Sequence, residues 1–117
     1  MLTALFLSNM GVTFTLILGG VAVLLPQHIQ TFVSIRAIGK EGVSEVRATY
    51  GGFFAGIAVY ALFSQSSEVF LTIGIGWITA SIIRLISILK GAYSFKNLCA
   101  VFFEGGMGAL CSASSFT

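Results

Sequence analysis

Four apolar stretches, each long enough to cross a lipid bilayer, alternate with short polar segments along the chain. A helix needs about 20 mostly apolar residues to span the hydrocarbon core. The pattern predicts an all-α, polytopic membrane protein, a single domain (residues 1–117) that forms a four-helix transmembrane bundle. Between its first two spans, residues 26–45 are expected to form a polar or interfacial loop. The predicted spans cover residues 2–25, 46–63, 68–89 and 97–113.

Local signals indicate where these helices begin and end. Pro26 is expected to end the first span, because a proline inside a helix removes a hydrogen bond and clashes with the preceding turn. Ser44 and Ser67 are expected to cap the second and third spans, since a serine hydroxyl accepts from the free amides of a first turn. Residues 39–42 read Gly-Lys-Glu-Gly, which indicates a turn or loop. Helical and alternating-strand patterns fit residues 27–46 about equally well, so neither is predicted there.

Composition supports the membrane interpretation. The chain is 56% hydrophobic and only 9% charged, with a mean hydropathy of +1.00. Soluble domains carry about 25% charged residues, and a soluble fold of this length could not bury so much apolar surface. The net charge of +2, with no basic run, excludes nucleic acid as an expected partner. A single histidine and no aspartate leave no metal cluster, and no cofactor is expected.

The basic residues orient the predicted bundle. The loop after the first span, the start of the second span and the loop after the third span carry five Lys and Arg residues outside the apolar cores: Arg36, Lys40, Arg47, Lys90 and Lys96. The N-terminus, the other loop and the C-terminus carry none. Positively charged loops stay on the cytoplasmic side. Both termini are therefore predicted to be non-cytoplasmic.

Two charged residues stand inside apolar stretches, Arg84 in the third span and Glu104 in the fourth. A charge within a span is costly and usually has a partner. Both lie roughly 9–12 Å from the basic ends of their helices, at 1.5 Å per residue, and both lie on the faces rich in small and polar residues. A guanidinium can hold a carboxylate through two hydrogen bonds. We therefore predict an Arg84–Glu104 ion pair, with Arg47 and Tyr50 one helical turn away as further partners.

Alternatives to this pair remain open. Arg84 could extend its head group to the membrane surface, and Glu104 could serve as a proton or substrate site. Small residues at helical spacing also mark faces on which membrane helices approach closely. The candidate packing positions are Gly51, Gly52, Gly56, Gly76, Gly105, Gly106 and Gly108.

Three sequence segments carry a family resemblance. Residues 47–56 read Arg-Ala-Thr-Tyr-Gly-Gly-Phe-Phe-Ala-Gly, Arg84 follows a glycine-rich half-helix that contains Gly76 and Trp77, and residues 104–106 read Glu-Gly-Gly. Together they resemble a family of small bacterial four-span membrane proteins, the domain of unknown function 4345 family, over residues 2–111. The resemblance implies a four-helix fold in the bacterial cytoplasmic (inner) membrane and implies no activity. It selects Arg47, Tyr50, Gly51, Gly52, Arg84 and Glu104.

The sequence favours a protein without a catalytic site. The preferred hypothesis is a structural or accessory subunit, whose partners are the lipid bilayer and other membrane subunits or a second copy of itself. The alternative is a small-molecule or proton-coupled binding or transport protein that uses the Arg84–Glu104 site. An intramembrane enzyme is disfavoured because acid–base or nucleophilic chemistry needs a positioned pair, and His28 lies at the wrong depth for Cys99.

Overall fold

The computed structural model describes residues 2–116, and the regular structure in that part of the chain is entirely helical. Four helices are long and apolar enough to cross a membrane, as predicted: Leu2–Leu24, Gly39–Ser64, Ser67–Leu89 and Phe95–Phe116. The first and third are single α-helices, α1 (Leu2–Leu24) and α5 (Ser67–Leu89). The second consists of α3 (Gly39–Glu45), a π-helical segment (Val46–Phe53) and α4 (Phe54–Ser64). The fourth consists of α6 (Phe95–Ser112) and a 3-10 turn (Ala113–Phe116). A short helix, α2 (Pro26–Val33), follows α1.

The polar segment 26–45 contains more helix than the sequence indicated. Pro26 ends α1, but it also occupies the first turn of α2, where a missing amide proton costs nothing. Helix α3 begins at Gly39 (φ +68°), so Ser44 lies inside a helix and the prediction that it caps one is wrong. The predicted turn at residues 39–42 is also wrong. The apolar pattern marks where a helix enters lipid, whereas this helix begins seven residues earlier among water-exposed side chains.

Serine caps begin the two helices of the second half of the chain. The Ser66 hydroxyl accepts a long bond from the Val69 amide at 3.5 Å, so the cap of α5 lies one residue before the predicted Ser67. At α6 the Ser94 hydroxyl accepts from the Asn97 amide at 3.0 Å. Each bond satisfies an amide that has no partner within its own helix.

Residues 12–64 form one compact unit, which we call the central unit. Its apolar cluster joins Ala22 of α1, Ile29 of α2 and Val46 at the start of the π-helical segment, and Tyr50 packs against that cluster. Backbones touch nearby, because a Cβ on Gly19 would lie 2.9 Å from the Gly51 carbonyl oxygen. A π-helix bonds each amide to the carbonyl five residues earlier, a spacing that a 3.6-residue hydrophobic pattern does not reveal.

Residues 2–11 and 65–116 form the second compact unit, the terminal unit. Here α5 and α6 form an antiparallel hairpin, in which Gly74 lies against Gly108 at one end and Arg84 reaches Glu104 at the other. The beginning of α1 joins them through the Ser8 hydroxyl, which donates to the Cys111 carbonyl at 2.9 Å and accepts from the Ser114 amide at 3.0 Å. Phe70 is the largest fully buried side chain of this unit.

Candidate functional site

The charged pair of the terminal unit joins α5 to α6. Arg84 donates from Nε to Oε1 of Glu104 at 2.7 Å and from Nη2 to Oε2 at 3.0 Å, so the guanidinium holds both carboxylate oxygens. The Glu104 side chain is only 11% exposed, whereas the Arg84 side chain keeps 31% of its surface accessible. The bidentate geometry is the strong form of this interaction, since two parallel charge-assisted bonds fix both groups.

Asn97 extends the pair to the end of the hairpin. Its Oδ1 accepts from Nη1 of Arg84 at 3.1 Å, and its Nδ2 donates to the Ala92 carbonyl at 2.8 Å. The side chain therefore links the guanidinium to the connection between α5 and α6. Sequence reasoning did not assign Asn97 to the site, although a signal exists: Asn97 precedes Glu104 by two helical turns and so shares its face.

A second polar bond crosses the hairpin one turn before Arg84. The Ser81 hydroxyl donates to the Val101 carbonyl at 2.8 Å. A Cβ placed on Gly105 would lie 3.5 Å from that hydroxyl, which is ordinary van der Waals contact. Ser81 and Arg84 therefore hold neighbouring turns of α6, and polar bonds of this kind contribute to association between helices in lipid.

Arg47 and Tyr50 belong to the central unit. Arg47 is exposed, and Tyr50 is half-buried with its ring 6.2 Å from that of Phe54 in an edge-on arrangement. Both lie in the π-helical segment, which contains the Arg-x-x-Tyr-Gly-Gly motif. Their participation in the Arg84–Glu104 site stays a prediction.

The predicted packing glycines differ in what surrounds them. Gly51 and Gly108 touch another helix: a Cβ on Gly51 would lie 3.0 Å from the Val23 amide, and one on Gly108 would lie 3.0 Å from the Gly74 carbonyl oxygen. A Cβ on Gly52 would meet only its own helix, at 3.9 Å from the Arg47 carbonyl. Among the residues that the structure describes, a Cβ would meet nothing within 4 Å at Gly56, Gly76 and Gly106.

Three glycines in close helix contacts, Gly11, Gly19 and Gly74, were not among the predicted packing positions. A Cβ on Gly11 would lie 2.8 Å from the Cys111 sulfur, and one on Gly74 would lie 2.9 Å from the Gly108 carbonyl oxygen. Sequence spacing shows which residues share one face of a helix. It does not show which face meets a neighbour.

The described residues hold no group of three or more His, Cys, Asp or Glu side chains that could bind a metal ion. Cys99 is exposed and Cys111 is buried, and neither forms a disulfide bond. The chemistry that the site does offer is a neutralised charge pair. Its carboxylate oxygens are both bonded to the guanidinium, and the Arg84 side chain as a whole remains partly accessible.

Comparison with known proteins adds no relative. No family model matches the sequence, and neither the curated proteins nor the solved structures compared with it give a significant match.

Proposed function

We propose that this protein is a non-enzymatic, multi-pass protein of the bacterial cytoplasmic membrane that acts as a structural or accessory subunit of a larger membrane assembly. In this proposal it forms a four-helix bundle with both termini outside the cytoplasm, as the distribution of Lys and Arg favours. Membership of the domain of unknown function 4345 family is part of the proposal and rests on the motifs at residues 47–52, 84 and 104.

The observation that carries the proposal is that the two charged residues, Arg84 and Glu104, bond to each other within the terminal unit. Both oxygens of Glu104 accept from Arg84, and Asn97 ties the same guanidinium to the end of the hairpin. Groups arranged in this way hold helices together, because a buried charge is tolerated when it is paired and hydrogen-bonded. This supports a role for the pair in building the helical scaffold.

Outward-facing glycines support the expectation of a partner. A Cβ would have open space at Gly56 of α4, Gly76 of α5 and Gly106 of α6. Glycine is unfavourable inside a helix by about 1 kcal/mol relative to alanine. In membranes, small residues on helix surfaces allow another helix to approach closely. These three positions are therefore candidates for contact with another subunit or with a second copy of the chain.

The test is purification of the tagged full chain in a mild detergent after chemical cross-linking in the membrane. We expect a co-purifying membrane protein or a defined oligomer. Gly56→Leu and Gly76→Leu should reduce its recovery, because each leucine fills the space that a partner helix would use. Ile83→Leu is the matched control, since it keeps an exposed apolar side chain on α5. Recovery of the wild-type chain only as a lone monomer would contradict the proposal.

A second candidate function is binding or proton-coupled transport at the Arg84–Glu104 site. The observation that favours it is the 31% exposure of the Arg84 side chain, which leaves part of that side chain accessible while its partner is buried. We expect vesicles containing the protein to take up a lipophilic cationic dye under a pH gradient, and we expect Glu104→Gln to abolish that uptake. The substituted amide keeps an acceptor for Arg84 but cannot exchange a proton. Equal uptake by the variant and the wild type, or no uptake by either, would remove this candidate.

A further inference from the structure

The end of α2 and the connection from α2 to α3 present large apolar side chains outside the four long helices. Phe32 is 53% exposed, Ile35 is 42% exposed and Ile38 is 85% exposed. Exposed apolar residues on a spanning helix are expected to face acyl chains. These three lie instead in the polar segment between two spans, where such exposure is unfavourable in water. Their exposure is explained if they enter the interfacial region of the bilayer.

The segment that carries these side chains is ordered by its own hydrogen bonds. The Gln30 carbonyl accepts from the Ile35 amide at 3.0 Å, and its side-chain Oε1 accepts from the Ala37 amide at 2.8 Å. On the inner side, Pro26 and Ile29 of α2 are buried. One face of α2 is therefore fixed to the central unit, and the following residues are held in a defined conformation that turns Ile35 and Ile38 outward.

Exposed cations accompany these apolar residues. Arg36 stands between Ile35 and Ile38, and Lys40 lies in the first turn of α3. Within residues 2–116 neither side chain forms a hydrogen bond or an ion pair. Long basic side chains reach the headgroup region while their stems remain apolar. Each contributes on the order of a fivefold increase in association with an anionic membrane surface.

Acidic residues are also present on α3, on a different side. Glu41 and Glu45 are four residues apart and so share a face. At about 100° per residue, that face lies roughly 100–140° around the helix from Lys40. The basic side and the acidic side of this helix are therefore separate, and the basic side can meet negative charge without the carboxylates beside it.

We infer that residues 32–40 form an interfacial docking surface for anionic phospholipids, in which Phe32, Ile35 and Ile38 enter the acyl boundary while Arg36 and Lys40 bind lipid phosphates. The surface gives this protein a preference for anionic lipid on the side of the membrane that carries its basic loops. The inference requires insertion in a bilayer but no partner protein, so it stands or fails separately from the accessory function.

Lipid selectivity of the full chain in phosphatidylcholine vesicles tests the inference. Spin-labelled phosphatidylglycerol and spin-labelled phosphatidylcholine report the fraction of each lipid that the protein immobilises. We expect several-fold stronger association of phosphatidylglycerol at low salt, weakening as salt rises because the Debye length is only about 10 Å at 0.1 M. Arg36→Gln with Lys40→Gln should remove most of this preference, and Glu41→Gln should change it little, because Glu41 lies on the other side of α3.

Lys90→Gln is the matched control, because Lys90 is exposed and lies in the other basic loop. It should leave most of the preference in place. Circular dichroism should show an unchanged fold for all of these variants, since the altered side chains are exposed. Equal association of both lipids with the wild type would overturn the inference. So would a loss in Lys90→Gln as large as that in the Arg36 and Lys40 double variant, because the preference would then belong to basic loops in general.

Discussion

Arg84→Met is expected to destabilise the protein by about 2–4 kcal/mol, because it leaves the Glu104 carboxylate buried without its guanidinium partner. The lower part of that range allows for the 31% exposure of the Arg84 side chain. The change also removes the donor to Asn97, which connects the pair to the end of the hairpin. Unfolding of the purified protein in mixed micelles, followed by circular dichroism, measures the difference in free energy.

Compensating variants distinguish the contribution of the ion pair from that of the packing of the two side chains. Arg84→Met with Glu104→Leu should recover most of the lost stability, since replacing both members of a buried pair with apolar residues is often neutral. Exchange of the charges, Arg84→Glu with Glu104→Arg, should recover it in part. Glu104→Arg alone should be poorly tolerated, because two guanidinium groups would face each other. Wild-type stability in that single variant would show that the pair does not hold the hairpin.

Gly74→Ala is expected to cost about 1–3 kcal/mol, as overpacking of a close contact does. The new methyl group would lie 2.9 Å from the Gly108 carbonyl oxygen and 3.2 Å from the Ser112 amide nitrogen. Both are backbone atoms, so relief requires α5 and α6 to move apart. The same micellar unfolding measurement quantifies the loss.

Gly76→Ala on the same helix is the control for Gly74→Ala. Its methyl group would meet nothing within 4 Å, and alanine favours a helix over glycine by up to about 1 kcal/mol. This variant should therefore be neutral or slightly more stable. The two glycines are two residues apart, so loss of the same size at both positions would mean that the contact with Gly108 does not determine the effect.

Hydropathy was sufficient to predict the four long helices, because lipid demands a continuous apolar stretch of known length. It failed for residues 26–45, where α2 and the start of α3 form in a polar context. Pro26 and Ile29 of α2 are buried, and Ile29 packs with Ala22 and Val46 of other helices. Such contacts between distant residues leave no periodic pattern in an eight-residue segment, and helical and extended interpretations of it were indistinguishable.

The charged pair was predictable for a different reason. Arg84 and Glu104 stand alone in apolar surroundings, and their distances from the basic helix ends place them at similar depth. Asn97 gives a weaker signal: it shares a face with Glu104, but a polar residue near a helix end needs no partner to be tolerated. Gly74 was not distinguished from Gly76 because both lie in the same glycine-rich stretch, and only the direction in which α6 packs decides between them.

The link between Arg84 and Glu104 has a consequence for membrane insertion during synthesis. The two residues are 20 positions apart and lie on consecutive helices. A guanidinium at the centre of a lone helix raises the free energy of its transfer into lipid by about 2.5–3.5 kcal/mol. Arg84 lies nearer the end of α5 and incurs part of that cost. Helix α5 therefore gains its neutralising carboxylate only when the ribosome has delivered α6. We expect the translocation channel to release these two helices into the bilayer together.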